Sequence, residues 1–258
     1  MESLATTNID LIMACPWHTS ELLVVHGDGL SCRTCDRFYP FVSVDAVKIP
    51  DFRTNANSGV RGERNDWTVA GDSSKQHITG ESRDAAQDAE CIGDIILDVG
   101  CGGRPRGTIN IDCYVPNPIP QNLILADAEL PLPILNKSID KVVSYYSIEH
   151  VVSPSNLLHD FARVARKQIH VVTDNSDWTG EIIFRLLGRG RIFHDEHCYK
   201  WSVEYFANLI NRLGYSNSRV YCSTLSNNPF VKLGACLGKI KKLNPLFHRD
   251  LEAVIELP

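Results

Sequence analysis

No stretch of this 258-residue chain holds the run of about eighteen apolar residues that a bilayer-crossing helix needs. The first residues lack a basic segment followed by an apolar one, so no secretory signal is expected and the chain reads as cytoplasmic. Positive charge is in deficit: 26 Lys and Arg stand against 31 Asp and Glu, a net charge of −5. That excludes a protein that coats nucleic acid through bulk electrostatics and leaves only a local basic patch. The nine cysteines are an odd number with close Cys/His spacings in the first cluster. They suit metal-bound thiolates in a reducing compartment better than a disulfide framework. What is present, 43% hydrophobic and 22% charged residues, is ordinary for a globular protein long enough for one large α/β domain and a small one.

The most informative pattern lies at residues 95–112. Residues 95–99 are a short β-branched, apolar run with one acid, Asp98, as in a buried parallel strand. It enters Gly100-Cys101-Gly102-Gly103, where missing side chains let backbone N–H groups approach a bound molecule. A second β-rich run, 108–111, ends on Asp112, placed to accept hydrogen bonds from a ribose diol. Strand, glycine turn, strand and acid describe a nucleoside-cofactor site. A dinucleotide fingerprint is missing, because Pro105 stands at the third glycine position and Asp112 comes too soon. Asp98 suits a ligand amino group better than a pyrophosphate. Residues 100–107 are too few for a full crossover helix, so a single turn or a loop is expected there.

Upstream, Cys15-Pro16-Trp17-His18 and Cys32-Arg33-Thr34-Cys35 are two knuckle-sized ligand pairs. Between them, residues 22–25 and 28–31 read as a hairpin with an Asp-Gly turn. Cys15, His18, Cys32 and Cys35 can converge tetrahedrally on one Zn²⁺, which would supply much of the folding energy of so small a unit. Residues 51–90 are polar, with few large apolar side chains, and read as a linker with a short helix around 82–90.

Two resemblances follow from these residues. The 95–112 stretch resembles motif I of the S-adenosylmethionine-dependent methyltransferases of Rossmann-like fold, in the form Asp-x-Gly-x-Gly. Residues 11–50, above all Cys-Asp-Arg-Phe-Tyr-Pro at 35–40, resemble the small zinc-ribbon proteins that activate tRNA and release-factor methyltransferases. His18 stands where such ribbons more often have Cys. The first resemblance implies that Asp98, Gly100, Gly102 and Asp112 hold the cofactor. It also implies that Asp127, followed by Ala128 at the end of a third strand (123–128), meets the adenine, although Asp127 equally suits a helix cap. A fourth strand, 139–147, leads to Ile148-Glu149-His150, similar to the family's Ser-x-x-x-Leu-Glu-His with Ser144 at its head, over the sulfonium and the acceptor. An Asn/Asp-Pro-Pro-Tyr/Phe motif for planar amino acceptors is absent there; residues 227–230 look similar but read as a turn.

Pro154 opens a helix whose Leu157, Leu158, Phe161, Val164 and Ala165 share a face. A fifth strand at 168–173, an amphipathic helix at 178–187 and a basic loop at 188–191 follow. His194 and His197 border the acceptor pocket by the same resemblance, or are merely structural; with no third ligand in sight, a second metal is not expected. Ser202 caps a helix that Gly214 ends, and strands at 219–224 and 251–257 close the sheet. Residues 226–249 carry four Lys and one Arg without an acid, a helix for RNA, a protein or an anionic surface, or simply a solvated one.

The expected architecture is α/β: a Rossmann-like seven-stranded methyltransferase sheet (91–258) behind a linker (51–90) and a β-rich zinc ribbon (1–50). The expected function is methyl transfer from S-adenosylmethionine to a small molecule (phenolic, quinone-type or lipid), with tRNA or protein as alternative acceptors. A non-catalytic cofactor-binding subunit or zinc adaptor is the remaining alternative. His150, His194 and His197 are candidate bases, with Glu149 to orient one of them.

Overall fold

The computed structural model describes residues 12–44, 46–53, 93–186, 197–225 and 244–258. Most of the expected linker, the basic loop at 188–191, His194, residues 227–230 and most of the basic 226–249 segment lie outside the described residues. The N-terminal unit consists of six short strands: β1 (Ala14–Cys15), β2 (His18–Leu22), β3 (Val24–Val25), β4 (Gly29–Ser31), β5 (Phe38–Val44) and β6 (Val47–Pro50). β1 pairs with β2, and β3 to β6 form a four-stranded antiparallel sheet. The expected hairpin is β3–β4, but its connection is His26-Gly27-Asp28, closed by the His26 N–H on the Gly29 carbonyl at 2.7 Å. Leu22 belongs to β2 instead.

The larger sheet is built from β7 (Ile96–Val99), β8 (Ile109–Asp112), β9 (Leu123–Leu125), β10 (Ile139–Tyr145), β11 (Ala165–Asp174), β12 (Ser218–Ser223) and β13 (Asp250–Glu256). Its order is β12-β13-β11-β10-β7-β8-β9; β13 runs antiparallel to both neighbours and the other pairings are parallel. This is the Rossmann-like methyltransferase arrangement, with the seventh strand inserted antiparallel between the fifth and sixth. β7 lies between β10 and β8, so the chain reverses its direction of growth beside β7. In open α/β sheets that switch point, at the carboxyl ends of the strands, is where ligands bind.

Among the described residues, helices serve one side of the switch point. α1 (Pro154–Val164), with Pro at its start, buries Leu157, Leu158, Phe161 and Val164. α2 (Thr179–Leu186) and α3 (Val203–Arg212) precede β12, and the four-residue α4 (Asn244–Phe247) precedes β13. Ser202 caps α3 by accepting from the Tyr205 N–H, and Gly214 at φ +86° follows its end. α2 departs from expectation: Ile182, Ile183 and Leu186 are exposed rather than turned to a core.

On the other side, the connections β7–β8, β8–β9 and β9–β10 contain no helix. The ribbon takes that place. Met13, Cys15, Leu30, Tyr39 and Phe52 belong to the same buried cluster as Ile124, Leu132 and Ile134, while Ile49 packs with Leu123 and Leu125. Alternate residues of β9 face opposite ways, so the ribbon wraps the sheet edge and touches both faces. Backbone bonds tie the two together: Ala14 N–H to Pro133 O at 3.0 Å, Leu135 N–H to Ile12 O at 2.8 Å and Phe52 N–H to Leu125 O at 2.8 Å. The ribbon's contacts with the sheet continue past residue 50. Asp51 bridges Leu125 in parallel register, and Arg53 clasps the Asp51 carboxylate while donating to the Cys113 carbonyl at 2.9 Å.

Candidate functional site

Three clusters come from the residues singled out in the sequence. The first is the ribbon's ligand set. Zn–S and Zn–N bonds of about 2.3 and 2.1 Å put tetrahedral sulfurs about 3.8 Å apart, and sulfur and nitrogen about 3.6 Å apart. Cys15 Sγ lies 3.8 Å from Cys35 Sγ and 3.6 Å from His18 Nδ1, and Cys32 Sγ lies 3.5 Å from His18 Nδ1. All four ligand atoms fall within 4.8 Å of one another. The residues thus fit a tetrahedral ion, and His18 presents a nitrogen where a fourth thiolate would stand. Burial pushes the Cys32 thiol up, but the N–H groups of Cys35 and Thr34 outweigh it and bring it down to about 7, while burial raises Cys35. The fully buried Tyr39 places its hydroxyl 3.1 Å from Cys15 Sγ and stacks, tilted, on Phe52 at 4.6 Å, linking the ligand set to the shared core.

The second cluster lies at the carboxyl ends of β7, β8 and β9. The expected free N–H groups of the glycine turn are occupied. Gly100 and Cys101 both donate to Ile111 O, at 2.8 and 3.2 Å, and Gly102 donates to Asp112 Oδ2 at 2.8 Å. The two glycines do different work. A Cβ on Gly100 would lie 1.6 Å from Ser147 Oγ, so its bareness admits Ser147 from the turn after β10. A Cβ on Gly102, at φ +52°, would meet nothing within 4 Å and points into open space, the cradle a ligand could fill. Asp112 Oδ1 also accepts from Tyr114 N–H at 3.0 Å, which fixes the carboxylate while leaving it lone pairs. Asp127 sits just past β9, with Oδ1 accepting from Glu129 N–H at 2.9 Å as in a turn, and Ala128 follows, half-buried. Both carboxylates lie near Cys113, where burial first and then their charges push the thiol up to about 12.

Asp98, next to last in β7, is fully buried. Its Oδ2 accepts from Arg106 N–H at 2.8 Å, and its Oδ1 has no hydrogen-bond partner. Burial raises its carboxyl to about 6. Arg106, which the sequence did not flag, also lays its guanidinium over the Tyr145 ring at 3.9 Å. Ser144 is placed less openly than expected: it is fully buried and donates to Val99 O at 3.0 Å, tying β10 to β7.

The third cluster follows β10. Glu149 is buried, with Oε2 accepting from the Thr173 hydroxyl at 3.0 Å and Oε1 without a partner; burial raises its carboxyl to about 8. The rings of His150 and His197 meet edge to face, 4.6 Å between centroids. The structure thus brings His197, Glu149 and His150 together. No short motif joins positions so far apart in the chain, and Thr173 carried no signal at all.

No protein-family model matches the sequence, and no curated protein matches it. Solved structures similar to the chain include an S-adenosylmethionine-dependent methyltransferase from Thermotoga maritima, 12% identical over 63% of this chain and 82% of its own, with a TM-score of 0.46. A complex of the Haloferax volcanii Trm112 methyltransferase activator with a methyltransferase gives 12% identity over 64% and 82%, with a TM-score of 0.43. Magnesium protoporphyrin IX methyltransferase from Synechocystis PCC 6803, with bound S-adenosylhomocysteine, gives 14% over 63% and 74%, with a TM-score of 0.39. The fold assignment itself rests on the strand order of this chain.

Proposed function

We propose that this chain is an S-adenosylmethionine-dependent methyltransferase whose ribbon holds a structural Zn²⁺. The observation that carries the reading is the row of carboxylates at the switch point: Asp98 is next to last in β7, Asp112 ends β8 and accepts from the N–H of Gly102, whose Cα faces open space, and Asp127 lies two residues past β9. Asp112 would accept from the ribose hydroxyls and Asp127 from the adenine amino group. Asp98, ionised at neutral pH with an unpaired oxygen, would balance the ligand's ammonium, directly or through water. S-adenosylmethionine supplies a methyl group already activated on a sulfonium. The chain's own task is then alignment, exclusion of water and removal of the acceptor's proton.

Glu149 and His150 lie in the turn past β10, where the His150 N–H donates to the Ser147 carbonyl at 3.0 Å and Ser147 Oγ closes on Gly100; His197 joins them from the segment before α3, and we assign the three to the acceptor side. A small hydroxyl-bearing acceptor is favoured by the Ser-x-x-x-Ile-Glu-His sequence and by the net charge of −5. His194 keeps its candidate role by sequence alone. The test is calorimetry of the full chain with S-adenosylhomocysteine and with NAD⁺, followed by transfer of a labelled methyl group into fractionated cell extract. One equivalent of S-adenosylhomocysteine should bind, NAD⁺ should not, and Asp112→Ala should weaken binding at least about tenfold, the loss of a charge-assisted hydrogen-bond pair. Absence of S-adenosylhomocysteine binding would overturn the assignment.

A further inference from the structure

We propose that Glu149, His150 and His197 form a second metal site, one that takes a divalent transition-metal ion and leaves coordination positions open beside the cofactor crevice. The ligand atoms of the three residues all lie within 4.8 Å of one another. Donors sharing an ion at about 2.1 Å stand about 3–4 Å apart, so the cluster tightens by a side-chain adjustment only. The backbone already holds the two segments in place. The Glu149 carbonyl accepts from Cys198 N–H at 2.7 Å and Tyr199 N–H at 3.2 Å. Cys198 Sγ donates to His150 O at 3.3 Å, and Tyr199 donates its hydroxyl to Val152 O at 2.9 Å. These four bonds staple the segment bearing His197 onto the turn bearing Glu149 and His150.

The carboxylate is the second, independent observation. Glu149 is 1% exposed; Thr173 orients one oxygen and the other is buried with no hydrogen-bond partner. A buried carboxylate oxygen without a partner is expensive unless a cation meets it. A hydroxyl that fixes one carboxylate oxygen and a second oxygen left bare, with two imidazole nitrogens in reach of the carboxylate, are the parts of a ligated carboxylate. Two imidazoles with one carboxylate select borderline ions such as Zn²⁺, Fe²⁺ or Co²⁺ over Mg²⁺ and Ca²⁺ and, among the described residues, leave positions free for water or an oxygen donor. His150 and His197 are only half-buried, which gives that open side a route to solvent. The site stands without the cofactor assignment; its use rests on that reading. There the ion would take the oxygen of a hydroxyl-bearing acceptor and lower its pKa, the proton passing to water before the oxygen takes the methyl from sulfur, so that the imidazoles act through the metal rather than as bases.

The test is titration of the chelator-stripped full chain with Co²⁺, read by metal content and visible absorption, with S-adenosylhomocysteine affinity measured in parallel. Two equivalents are expected: one with the thiolate-to-metal charge-transfer band of the ribbon, the other with ligand-field bands alone. His150→Ala and His197→Ala should remove the second equivalent while the ribbon band and S-adenosylhomocysteine affinity persist. Thr173→Val, which keeps all three ligands, should weaken it about ten- to a hundredfold. A wild-type chain that stops at one equivalent, or a second equivalent that survives in the doubly substituted chain, would overturn the proposal. Cofactor binding without the second Co²⁺ sinks this site alone; the second Co²⁺ without cofactor binding sinks the methyltransferase reading and leaves the site.

Discussion

The two halves of the large sheet solve one problem in different ways. From β10 to β13, the sheet is covered by the domain's own helices: α1 contributes Leu157, Leu158, Phe161 and Val164, and α3 contributes Phe206 and Ile210. From β7 to β9 the connections are loops, and the cover comes from a ribbon that precedes the domain by a long stretch of chain. A β-sheet half without helices needs another layer, and an edge strand needs a partner or a lid. The ribbon provides both, with Phe52 in the core and Asp51 paired alongside Leu125. It also reaches the site, because Arg53 holds the Cys113 carbonyl next to Asp112. Whatever stabilises the ribbon therefore shapes the side of the crevice proposed for the cofactor, while the side proposed for the acceptor rests on the other half.

The largest effect should come from emptying the ribbon's ligand set of the ion proposed for it. Chelation, or Cys32→Ser with Cys35→Ser, should lower unfolding stability by at least about 5 kcal/mol, since metal binding in such a unit is folding free energy. Hydrogen exchange should then rise first in β8 and β9 and leave β11 and β13 protected. Uniform exchange across the sheet would erase the distinction between the halves. Phe52→Ala sharpens it. Its ring and that of Phe161 are both buried, and truncating either should cost about 3–5 kcal/mol. Phe52→Ala should in addition weaken S-adenosylhomocysteine binding through the Arg53–Cys113 link, which Phe161→Ala does not touch. Equal affinities in the two variants, measured well below their melting temperatures, would argue that the ribbon is mere cover.

The halves also differ in how far the sequence reveals them. Strand runs such as 95–99 and 139–147, the Pro154 start of α1 and the Ser202 cap of α3 are local signals, and the structure has elements within a few residues of each. The loop after Val99 was legible too, because chain length alone forbids a full helix there. The ribbon's docking was not. Nothing in Met13, Tyr39 or Phe52 distinguishes a residue that closes its own small unit from one that packs on Ile124 and Ile134. At the site, carboxylates at strand ends could be read by position. Their hydrogen-bond state could not: the N–H groups of Gly100 and Cys101 are committed to Ile111, and the Gly100 requirement comes from Ser147, an ordinary residue far along the chain.

At the boundary between the halves, Asp98 predicts a pH dependence of definite sign. Its carboxyl is raised from an ordinary 3.8 to about 6, so the folded state holds the proton more tightly than the unfolded chain. The penalty for ionising it is absent below the ordinary value, grows as pH rises through 4 to 6, and is constant above, at up to about 3 kcal/mol. Asp98→Asn, which can still accept from Arg106 N–H, should therefore be more stable than wild type at pH 7.5 by up to that amount, with the gain gone at pH 4. The same variant should bind S-adenosylhomocysteine more weakly. Urea melts at four pH values decide it; a gain that does not vary with pH would mean that the buried carboxylate carries no proton of its own.

The smallest effect concerns the half that carries its own helices. Ser202 Oγ accepts from Tyr205 N–H at 3.3 Å and donates to Glu204 Oε2 at 3.1 Å, opening α3 just after Trp201. Ser202→Ala leaves one donor at the helix start without its partner and should cost about 1 kcal/mol. Because α3 is anchored by Phe206 and Ile210, the loss should stay local. Amides in the first turn of α3 should exchange faster, while Co²⁺ at the ribbon, cofactor affinity and protection in β8 and β9 hold their wild-type values. If this small loss also loosened β9, the two halves would form one cooperative layer, and the ribbon would be stabilising the acceptor side as much as the cofactor side.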